Sequence, residues 1–375
     1  MILIINTAST YDGGAIQVAL SFIQECKKIA SHDYYIILGQ RIATYVDQND
    51  FPDNFKFYTI NYRPAERIFS LKSRTSFFST IEAAVKPDVV LTTSGPAYWK
   101  PKAPHICGFN IPQSVYPESR FFKLLPFKKQ IKWKLDRYIR RYFFKKESKD
   151  FVVQTDDVNS RLRLWFMTEK VTTVSNTCHS YYLNPTTFPN KLPQRFEGEF
   201  RFLTFSTFRP HKNFILIKNV IDNLPEQILS KVRFVITIPI TDFEQFFEKK
   251  YHENVINLGP VKINEGASLY AECDAAFIPT LLECFSATYP EAMAMKLPIM
   301  SSDVSFARSI CQKAAYYFDP FNPKEVADKI AKFMESGTLR TELIKNGQIR
   351  LKDFGTGEDR AHAFIKLCET ILKKN

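Results

Sequence analysis

Two glutamates, Glu283 and Glu291, stand eight positions apart in a stretch that has the pattern of strand, loop, helix and strand. The apolar run 275–279 predicts the first strand, and a helix rich in small residues is expected from about Thr288. This spacing puts Glu283 on the loop at the carboxyl end of a strand and Glu291 in the first turn of the next helix. Ligands bind at such crevices in open α/β sheets. Because carboxylates accept hydrogen bonds from sugar hydroxyls, the pair predicts a site for a polyhydroxylated ligand.

A purely structural role also accounts for Glu291. Residues 288–291 fit a capping box in which Thr288 is the N-cap and Glu291 is the third helical residue. Pro290 in the first turn agrees with this interpretation. Glu283 would then be an ordinary loop carboxylate. The local sequence leaves both interpretations open.

A basic pair follows another predicted strand. Arg209 and Lys212 lie between the apolar run 202–206 and a helix that starts near Asn213. Cationic side chains beside the free backbone N–H groups of a helix start form a natural phosphate site. A solvated basic loop without a ligand is the alternative.

Paired glycines follow the first predicted strand, 2–7. Gly13 and Gly14 precede a helix whose apolar residues recur at helical spacing. Glycines let a backbone approach a ligand closely, although a plain turn is the simpler interpretation. The pattern is not Gly-x-Gly-x-x-Gly, so the sequence has no nicotinamide-binding fingerprint here.

The glutamate pair and its surroundings resemble the donor-binding signature of the retaining GT-B glycosyltransferases of family four, the group 1 glycosyl transferases. That signature is a glutamate, seven residues and a second glutamate, followed by a small-residue helix and a strand. Glu283 and Glu291 match it, with Phe285 in place. Cys284 and Ser286 stand where glycines often flank the phenylalanine, so the loop backbone is expected to differ there.

The resemblance implies glycosyl transfer with retention at the anomeric carbon. Arg209 and Lys212 would stabilise negative charge on the departing diphosphate. Glu291 would hold the ribose hydroxyls, and Glu283 the transferred sugar. The sequence contains no Asp-x-Asp, so we expect no metal and no cofactor, only a nucleoside diphosphate sugar as co-substrate. The donor-binding residues implied are Gly13, Gly14, Glu283, Phe285, Ser286 and Glu291.

The acceptor side is less clearly marked. Asn110 follows an apolar strand in the first half of the chain and is the candidate there. His105 lies inside that strand and is expected to be a core residue. The predicted catalytic residues are Arg209, Lys212, Glu283 and Asn110.

The net charge of +12 is concentrated in one segment. Residues 120–149 hold twelve lysines or arginines and two acidic residues, interleaved with eight aromatics. Such a segment fits an interfacial helix on an anionic membrane or a nucleic-acid surface on which bases stack. We predict a membrane surface and no nucleic acid, because a cationic amphipathic flank suits a lipid-linked acceptor. The residues predicted to face the membrane or acceptor are Lys128, Lys129, Lys132, Trp133, Arg137, Arg140 and Arg141.

Bulk properties are those of a folded protein of two domains. The chain has 375 residues, of which 45% are hydrophobic and 24% charged. Its seven cysteines include no Cys-x-x-Cys pair, which favours buried thiols in a reducing cytoplasm. No signal peptide and no membrane span are expected. We predict a cytoplasmic protein, peripheral at the inner face of the cytoplasmic membrane.

Alternating strands and helices predict an α/β fold with parallel sheets covered by helices. The resemblance implies the GT-B architecture, with two Rossmann-like domains facing a cleft. The expected acceptor-binding domain is 1–178, followed by a linker at 179–198 and a donor-binding domain at 199–354. A C-terminal helix within 355–375 is expected to cross back to the first domain.

These predictions combine into a retaining glycosyltransferase that uses a nucleoside diphosphate sugar. Its acceptor would be a glycan or a lipid-linked sugar in surface polysaccharide or lipopolysaccharide synthesis. Two alternatives stay open: a nucleotide-sugar epimerase on the same fold, and a non-enzymatic basic protein that binds nucleic acid. An epimerase would interconvert the free donor without transfer, and a nucleic-acid-binding protein would bind oligonucleotide with a steep salt dependence.

Overall fold

The computed structural model describes residues 1–11, 13–67, 71–185 and 189–374, which form two compact units. Unit 1 comprises Met1–Pro117, Phe122–Asn176 and Thr356–Asn375. Unit 2 comprises Glu118–Phe121 and Thr177–Gly355.

Each unit is built on one parallel sheet. Unit 1 has seven strands in the order β3-β2-β1-β4-β5-β6-β7. These are β1 (Ile2–Asn6), β2 (Asp33–Gly39), β3 (Phe55–Ile60), β4 (Val89–Thr92), β5 (His105–Gly108), β6 (Asp150–Val153) and β7 (Val171–Thr173). Unit 2 has six strands in the order β10-β9-β8-β11-β12-β13. These are β8 (Phe200–Thr204), β9 (Val232–Ile236), β10 (Val255–Asn257), β11 (Ala275–Ile278), β12 (Ile299–Ser302) and β13 (Ala315–Phe318).

Helices connect the strands in both units. Those of unit 1 are α1 (Gly13–Cys26), α2 (Gln40–Ala43), α3 (Leu71–Val85), α4 (Pro112–Val115), α5 (Phe127–Glu147), α6 (Asp156–Phe166) and, at the end of the chain, α16 (Gly357–Leu372). Those of unit 2 are α7 (Ser180–Leu183), α8 (Ile215–Ile221), α9 (Glu226–Leu229), α10 (Ile240–Phe246), α11 (Gly266–Ala271), α12 (Thr288–Ala294), α13 (Ser305–Cys311), α14 (Pro323–Glu335) and α15 (Gly337–Leu351).

Buried central strands explain why the sequence forms these sheets. β4 and β11 are buried along their whole length, and β1 and β8 are buried after their first residue. A strand that is covered on both faces needs an unbroken apolar run rather than alternation, which is what the sequence supplies. The predicted α/β fold with parallel strands is therefore confirmed.

The last helix belongs to unit 1, where it packs against α1. The rings of Phe22 and Phe364 lie 5.0 Å apart, and Ala361 and Ile365 join the core around β1. Arg360 donates a 2.8 Å hydrogen bond to the Ser21 hydroxyl. An amphipathic helix thus completes the cover of a sheet formed by residues far away in sequence.

The stretch predicted as a linker packs on unit 2. Tyr182 in α7 and Leu192 are buried. The Glu272 carboxylate accepts hydrogen bonds of 2.9 Å from the backbone N–H groups of Lys191 and Leu192. Residues 186–188 lie outside the described part of the chain. Among the described helices, none is long and apolar enough to cross a bilayer.

Candidate functional site

The topology of unit 2 opens a crevice at the carboxyl ends of β8 and β11. The chain runs from β8 to β9 on one side, whereas β11 lies on the other side of β8. The loops that follow β8 and β11 therefore leave in opposite directions, which is the arrangement that makes a ligand crevice in open α/β sheets. Arg209 and Lys212 lie on the first loop, and Glu283 lies on the second.

Two contacts join these loops. The Lys212 amine forms an ion pair with Oε1 of Glu283. The backbone N–H of Leu281 donates a 2.8 Å hydrogen bond to the His211 carbonyl. The structure therefore brings together two motifs that lie about seventy positions apart in the sequence.

The basic loop is a single turn of 3-10 helix, Pro210–Lys212, with Arg209 at its N-cap position. Arg209 is exposed, whereas the Lys212 side chain is largely buried. Asn213 ends the turn in the left-handed conformation, with φ of 58°. The turn therefore presents two cations of different accessibility at the end of β8.

His211 lies between these cations. Its Nε2 is 3.9 Å from Oε1 of Glu283. Burial lowers the pKa of His211 to about 4, with the neighbouring charges of Lys212 and Arg209 adding to the effect and Glu283 opposing it. The imidazole is consequently neutral near pH 7.

Glu291 is buried in the first half of α12 and accepts a 2.9 Å hydrogen bond from the Tyr270 hydroxyl. Burial raises the pKa of Glu291 to about 7, against the opposing effects of the Tyr270 hydrogen bond and the Lys212 charge. Tyr270 belongs to α11, so the carboxyl is held by a different helix from its own. A carboxyl that titrates near neutral pH is unusual and marks a candidate functional group.

The capping-box interpretation of Glu291 is wrong. The N-cap of α12 is Ala287, which offers no side-chain hydrogen bond. The Thr288 hydroxyl instead lies 2.9 Å from the Ser286 hydroxyl, and the Glu291 carboxyl faces Tyr270. Pro290 is in the first turn of the helix, as expected.

A pocket lies at this edge of the sheet. Its walls are formed by the ends of β8 and β11, with Lys212 and Tyr270 among the lining side chains. Ser206, Thr280 and Thr288 add polar atoms to the lining. The pocket thus joins the basic turn to the helix that holds Glu291.

Comparison with known proteins identifies this part of the chain. The model of the family "Glycosyl transferases group 1" matches residues 190–350, which include the basic turn, both glutamates and Tyr270. Residues 190–350 form a group 1 glycosyltransferase domain. A search of curated proteins gives no match.

Solved structures similar to this glycosyltransferase extend the likeness to the whole chain. A glycosyltransferase from Rickettsia africae ESF-5 is 16% identical, with a TM-score of 0.74 over 100% of this chain and 99% of that one. Anabaena HepE, solved with UDP and glucose, is 14% identical, with a TM-score of 0.71 over 99% of this chain and 100% of that one. WaaG, a glycosyltransferase involved in lipopolysaccharide biosynthesis, is 14% identical, with a TM-score of 0.69 over 97% of this chain and 99% of that one. The predicted GT-B fold is confirmed by these neighbours.

In unit 1 of the glycosyltransferase, Gly13 and Gly14 form the start of α1 rather than the end of a loop. Gly13 has φ of 54°, a conformation that favours glycine. Apart from the local backbone of the helix and the neighbouring residues in the chain, no atom of the described residues lies within 4 Å of where a Cβ at either glycine would stand. The helix start is therefore open enough for close approach.

Asn110 lines a pocket of unit 1 together with Thr93 and Gln154. Its side-chain oxygen accepts a 2.8 Å hydrogen bond from the Ser94 hydroxyl. His105 is buried, as expected of a core histidine, and its Nε2 lies 2.8 Å from the Thr92 hydroxyl oxygen. Burial lowers its pKa to about 4.

The basic segment of the glycosyltransferase contains the long helix α5, which carries an exposed apolar stripe. The residues of the stripe recur every three or four positions, within an arc of about 80° at 3.6 residues per turn. They are Phe127, Ile131, Leu135, Tyr138 and Tyr142. Lys128, Lys129 and Lys132, in the first two turns of the same helix, are also exposed. Phe143 and Phe144 point into the core instead.

The other predicted membrane residues of α5 are only partly exposed. Arg137 donates a 2.7 Å hydrogen bond to the Ser114 carbonyl, and its guanidinium lies 5.2 Å from the Trp165 ring centroid. Arg140 lies 5.4 Å from the half-buried ring of Trp133. Arg141 is also only partly exposed. The stripe and the three exposed lysines therefore form the free face of the helix, and these four residues do not. The sequence did not indicate this, because a helical pattern alone does not reveal which side of a helix packs inward.

Tyr270 and His211 are the site residues that sequence reasoning missed. His211 lies inside the basic motif, and its position between Arg209 and Lys212 is a usable signal. Tyr270 has no such signal, since it is one aromatic among many in an apolar helix. Only the packing of α11 against α12 reveals its bond to Glu291.

Proposed function

We propose that this glycosyltransferase moves a sugar from a nucleoside diphosphate sugar to a glycan or lipid-linked acceptor, with retention and without a metal ion. The observation that carries the proposal is the ion pair between Lys212 and Glu283, formed across the crevice that also exposes the pocket next to Tyr270. The ion pair supports the proposal because a cation and two carboxyl groups, Glu283 and Glu291, lie along one sheet edge, where a sugar and a nucleoside would find hydrogen-bond acceptors.

The donor would bind with its charged and hydroxylated parts matched to these groups. Arg209 and Lys212 are the cations for the diphosphate, and Glu291 is the acceptor for the ribose hydroxyls. Glu283, together with the main chain near Phe285 and Ser286, would hold the transferred sugar. HepE, which shares the fold, was solved with UDP and glucose, and this supports a nucleotide-sugar ligand here.

Lys212 has a specific task in the proposed reaction. When the bond between the anomeric carbon and the phosphate oxygen breaks, the diphosphate leaves with the electron pair and gains negative charge. A preorganised cation in a partly buried site stabilises that charge strongly. The Glu283 carboxylate holds the amine in place before the donor arrives, and sugar hydroxyls would then share this carboxylate.

The acceptor would be bound by unit 1, with Asn110 as one of the polar side chains that line a pocket there. The exposed stripe of α5 and its lysines suit an anionic membrane, since apolar side chains enter the acyl boundary while lysines meet headgroups. We therefore propose a peripheral protein at the inner face of the cytoplasmic membrane. WaaG acts in lipopolysaccharide biosynthesis, and a related surface-polysaccharide pathway is our proposal for this enzyme.

A two-stage experiment tests the proposal. Purified protein is first screened by thermal shift with UDP, GDP and ADP and with their sugars, because a bound ligand raises the unfolding temperature by mass action. The sugar nucleotide that stabilises the protein is then supplied with membrane extract, with EDTA present. The expected result is nucleotide release coupled to a new glycan or glycolipid that carries the α or β configuration of the donor.

Three results would contradict the proposal. Inversion at the anomeric carbon would overturn retention, and loss of transfer in EDTA would overturn metal independence. Interconversion of the free donor without transfer would indicate the epimerase instead.

A further inference from the structure

Four residues from the first half of the chain belong to unit 2. Glu118–Phe121 are part of this unit, whereas Pro117 and Phe122 belong to unit 1. We refer to Glu118–Phe121 as the 118–121 segment. Two of its side chains, Arg120 and Phe121, contact other residues of unit 2.

Arg120 is fixed on the turn that follows β13. Its guanidinium donates hydrogen bonds of 3.0 and 3.2 Å to the two carboxylate oxygens of Asp319. It also lies 3.8 Å from the centroid of the Phe321 ring. The backbone N–H of Phe321 donates a 3.0 Å hydrogen bond to the same carboxylate, so the turn and the guanidinium share one anchor.

Phe121 contacts the basic turn itself. It is buried, and its ring lies edge-on to His211 with centroids 6.2 Å apart and planes at 89°. Edge-to-face packing of this kind is a favourable aromatic geometry. His211 separates Arg209 from Lys212, so a contact on its ring acts on the turn that carries both cations.

The basic turn depends on such outside contacts. A single 3-10 turn has few hydrogen bonds of its own, and among the described residues no side chain caps this one. Two of its anchors come from the loop after β11, through Leu281 and Glu283. The ring of Phe121 supplies a third, from a different part of the chain.

We infer that Arg120 and Phe121 are positioning residues, which hold the turn Pro210–Lys212 in the place where its cations meet the donor diphosphate. Arg120 fixes the 118–121 segment, and Phe121 transmits that fixed position to His211. The inference rests on the proposed function, since it assigns the turn to the diphosphate.

UDP binding measured by calorimetry tests the inference, with GDP and ADP in parallel. We expect Phe121→Ala to weaken binding of the preferred nucleotide by about three- to tenfold, the range expected for one aromatic pair. Phe121→Tyr keeps the ring and should retain wild-type affinity. Arg120→Ala should weaken binding as well. The Arg120→Ala substitution removes only a surface side chain, so this variant remains informative if Phe121→Ala does not fold.

Arg195→Ala is the matched control for Arg120→Ala. Arg195 also pairs with both oxygens of one carboxylate, Asp274, but at the amino end of β11. This variant should bind nucleotide like the wild type. Equal weakening in Arg195→Ala and Arg120→Ala would indicate a general loss of stability and overturn the inference.

A second readout does not need a nucleotide. NMR titration of the His211 ring should show its pKa rising from about 4 in Phe121→Ala, because loss of the ring lets water reach the imidazole. An unchanged His211 titration and unchanged nucleotide affinity would overturn the inference. If the wild type binds no nucleoside diphosphate while His211 responds, the packing role stands but the proposed function fails.

Discussion

Tyr270 donates a 2.9 Å hydrogen bond to Glu291, and both side chains are buried in unit 2. The two residues lie on different helices, α11 and α12, at the same edge of the sheet. The bond favours the ionised form of the carboxyl, but burial favours the neutral form and has the larger effect, so the pKa is raised to about 7. This relationship makes Glu291 sensitive to small changes in pH near neutrality.

Donor binding should therefore increase with pH around neutrality. Ribose hydroxyls donate to a carboxylate, and a protonated carboxyl accepts less well. With a pKa of about 7, the ionised fraction of Glu291 rises roughly tenfold between pH 6 and pH 8. We expect affinity for the preferred nucleotide, measured by calorimetry, to rise by a comparable factor. Glu291→Gln should weaken binding and remove the pH dependence, whereas the exposed Glu226→Gln should leave both unchanged.

The same carboxyl should make the folded protein less stable as the pH rises. A group whose pKa is raised on folding binds more protons in the folded state, so its contribution to stability is lost between its unfolded and folded values, from about 4.5 to about 7. The loss amounts to about 3 kcal/mol at pH 8. Glu291→Gln should raise the free energy of unfolding at pH 8 more than at pH 5. A variant with the wild-type pH dependence in urea unfolding would contradict this account.

Lys212→Ala should reduce the rate of transfer far more than it reduces stability. Loss of one preorganised charge-stabilising group costs about a hundredfold in kcat. Lys218→Ala is the control, because Lys218 is also paired with a glutamate and equally buried, with 13% of its side chain exposed against 11% for Lys212. Steady-state kinetics with saturating donor measures kcat for both variants. Similar kcat values for both variants would argue against a role of Lys212 in the reaction.

Gly266→Ala should destabilise unit 2 near the Glu291 site. A Cβ at this position would collide with the Tyr182 hydroxyl and the Phe205 ring, which pack around α11. Overpacking of this kind costs about 1–3 kcal/mol. Gly337→Ala, where a Cβ meets only the end of a flexible arginine, is the matched substitution and should leave the unfolding free energy nearly unchanged.

Leu135→Ser should weaken binding to vesicles that contain anionic lipid. Burial of a leucine side chain contributes about 1.5–3 kcal/mol, so its loss lowers the partition coefficient by about tenfold or more. Ile349→Ser is the control in unit 2, since the two residues are equally exposed, at 59% and 58%. Vesicle sedimentation measures the difference. Equal binding of both variants would mean that the stripe on α5 does not contact the membrane.

Strand positions were accessible from the sequence because buried parallel strands have an unbroken apolar pattern. The predictions for the first strand, 2–7, and for β11, 275–279, each differ from the structure by one residue. β13 was missed. It lies at the edge of its sheet, and its two central residues, Tyr316 and Tyr317, are only half-buried. A strand of that kind has no apolar run to detect.

Motifs at strand ends were also accessible, because the carboxyl ends of neighbouring parallel strands meet at one edge. That rule was enough to predict that Arg209 and Lys212 would lie near Glu283. It was not enough to assign Glu291, for which the cap and the ligand site were equally good interpretations.

The sequence by itself determined the α/β fold, the parallel sheets and the motifs of a group 1 glycosyltransferase, because each depends on local patterns of apolar residues and turns. Tertiary structure alone decided which partner Glu291 has, which face of α5 is free and where the 118–121 segment packs. These features depend on contacts between side chains far apart in the chain, and such contacts leave no periodic pattern in the sequence. The same packing buries Glu291 and His211. This burial raises the pKa of Glu291 and lowers the pKa of His211.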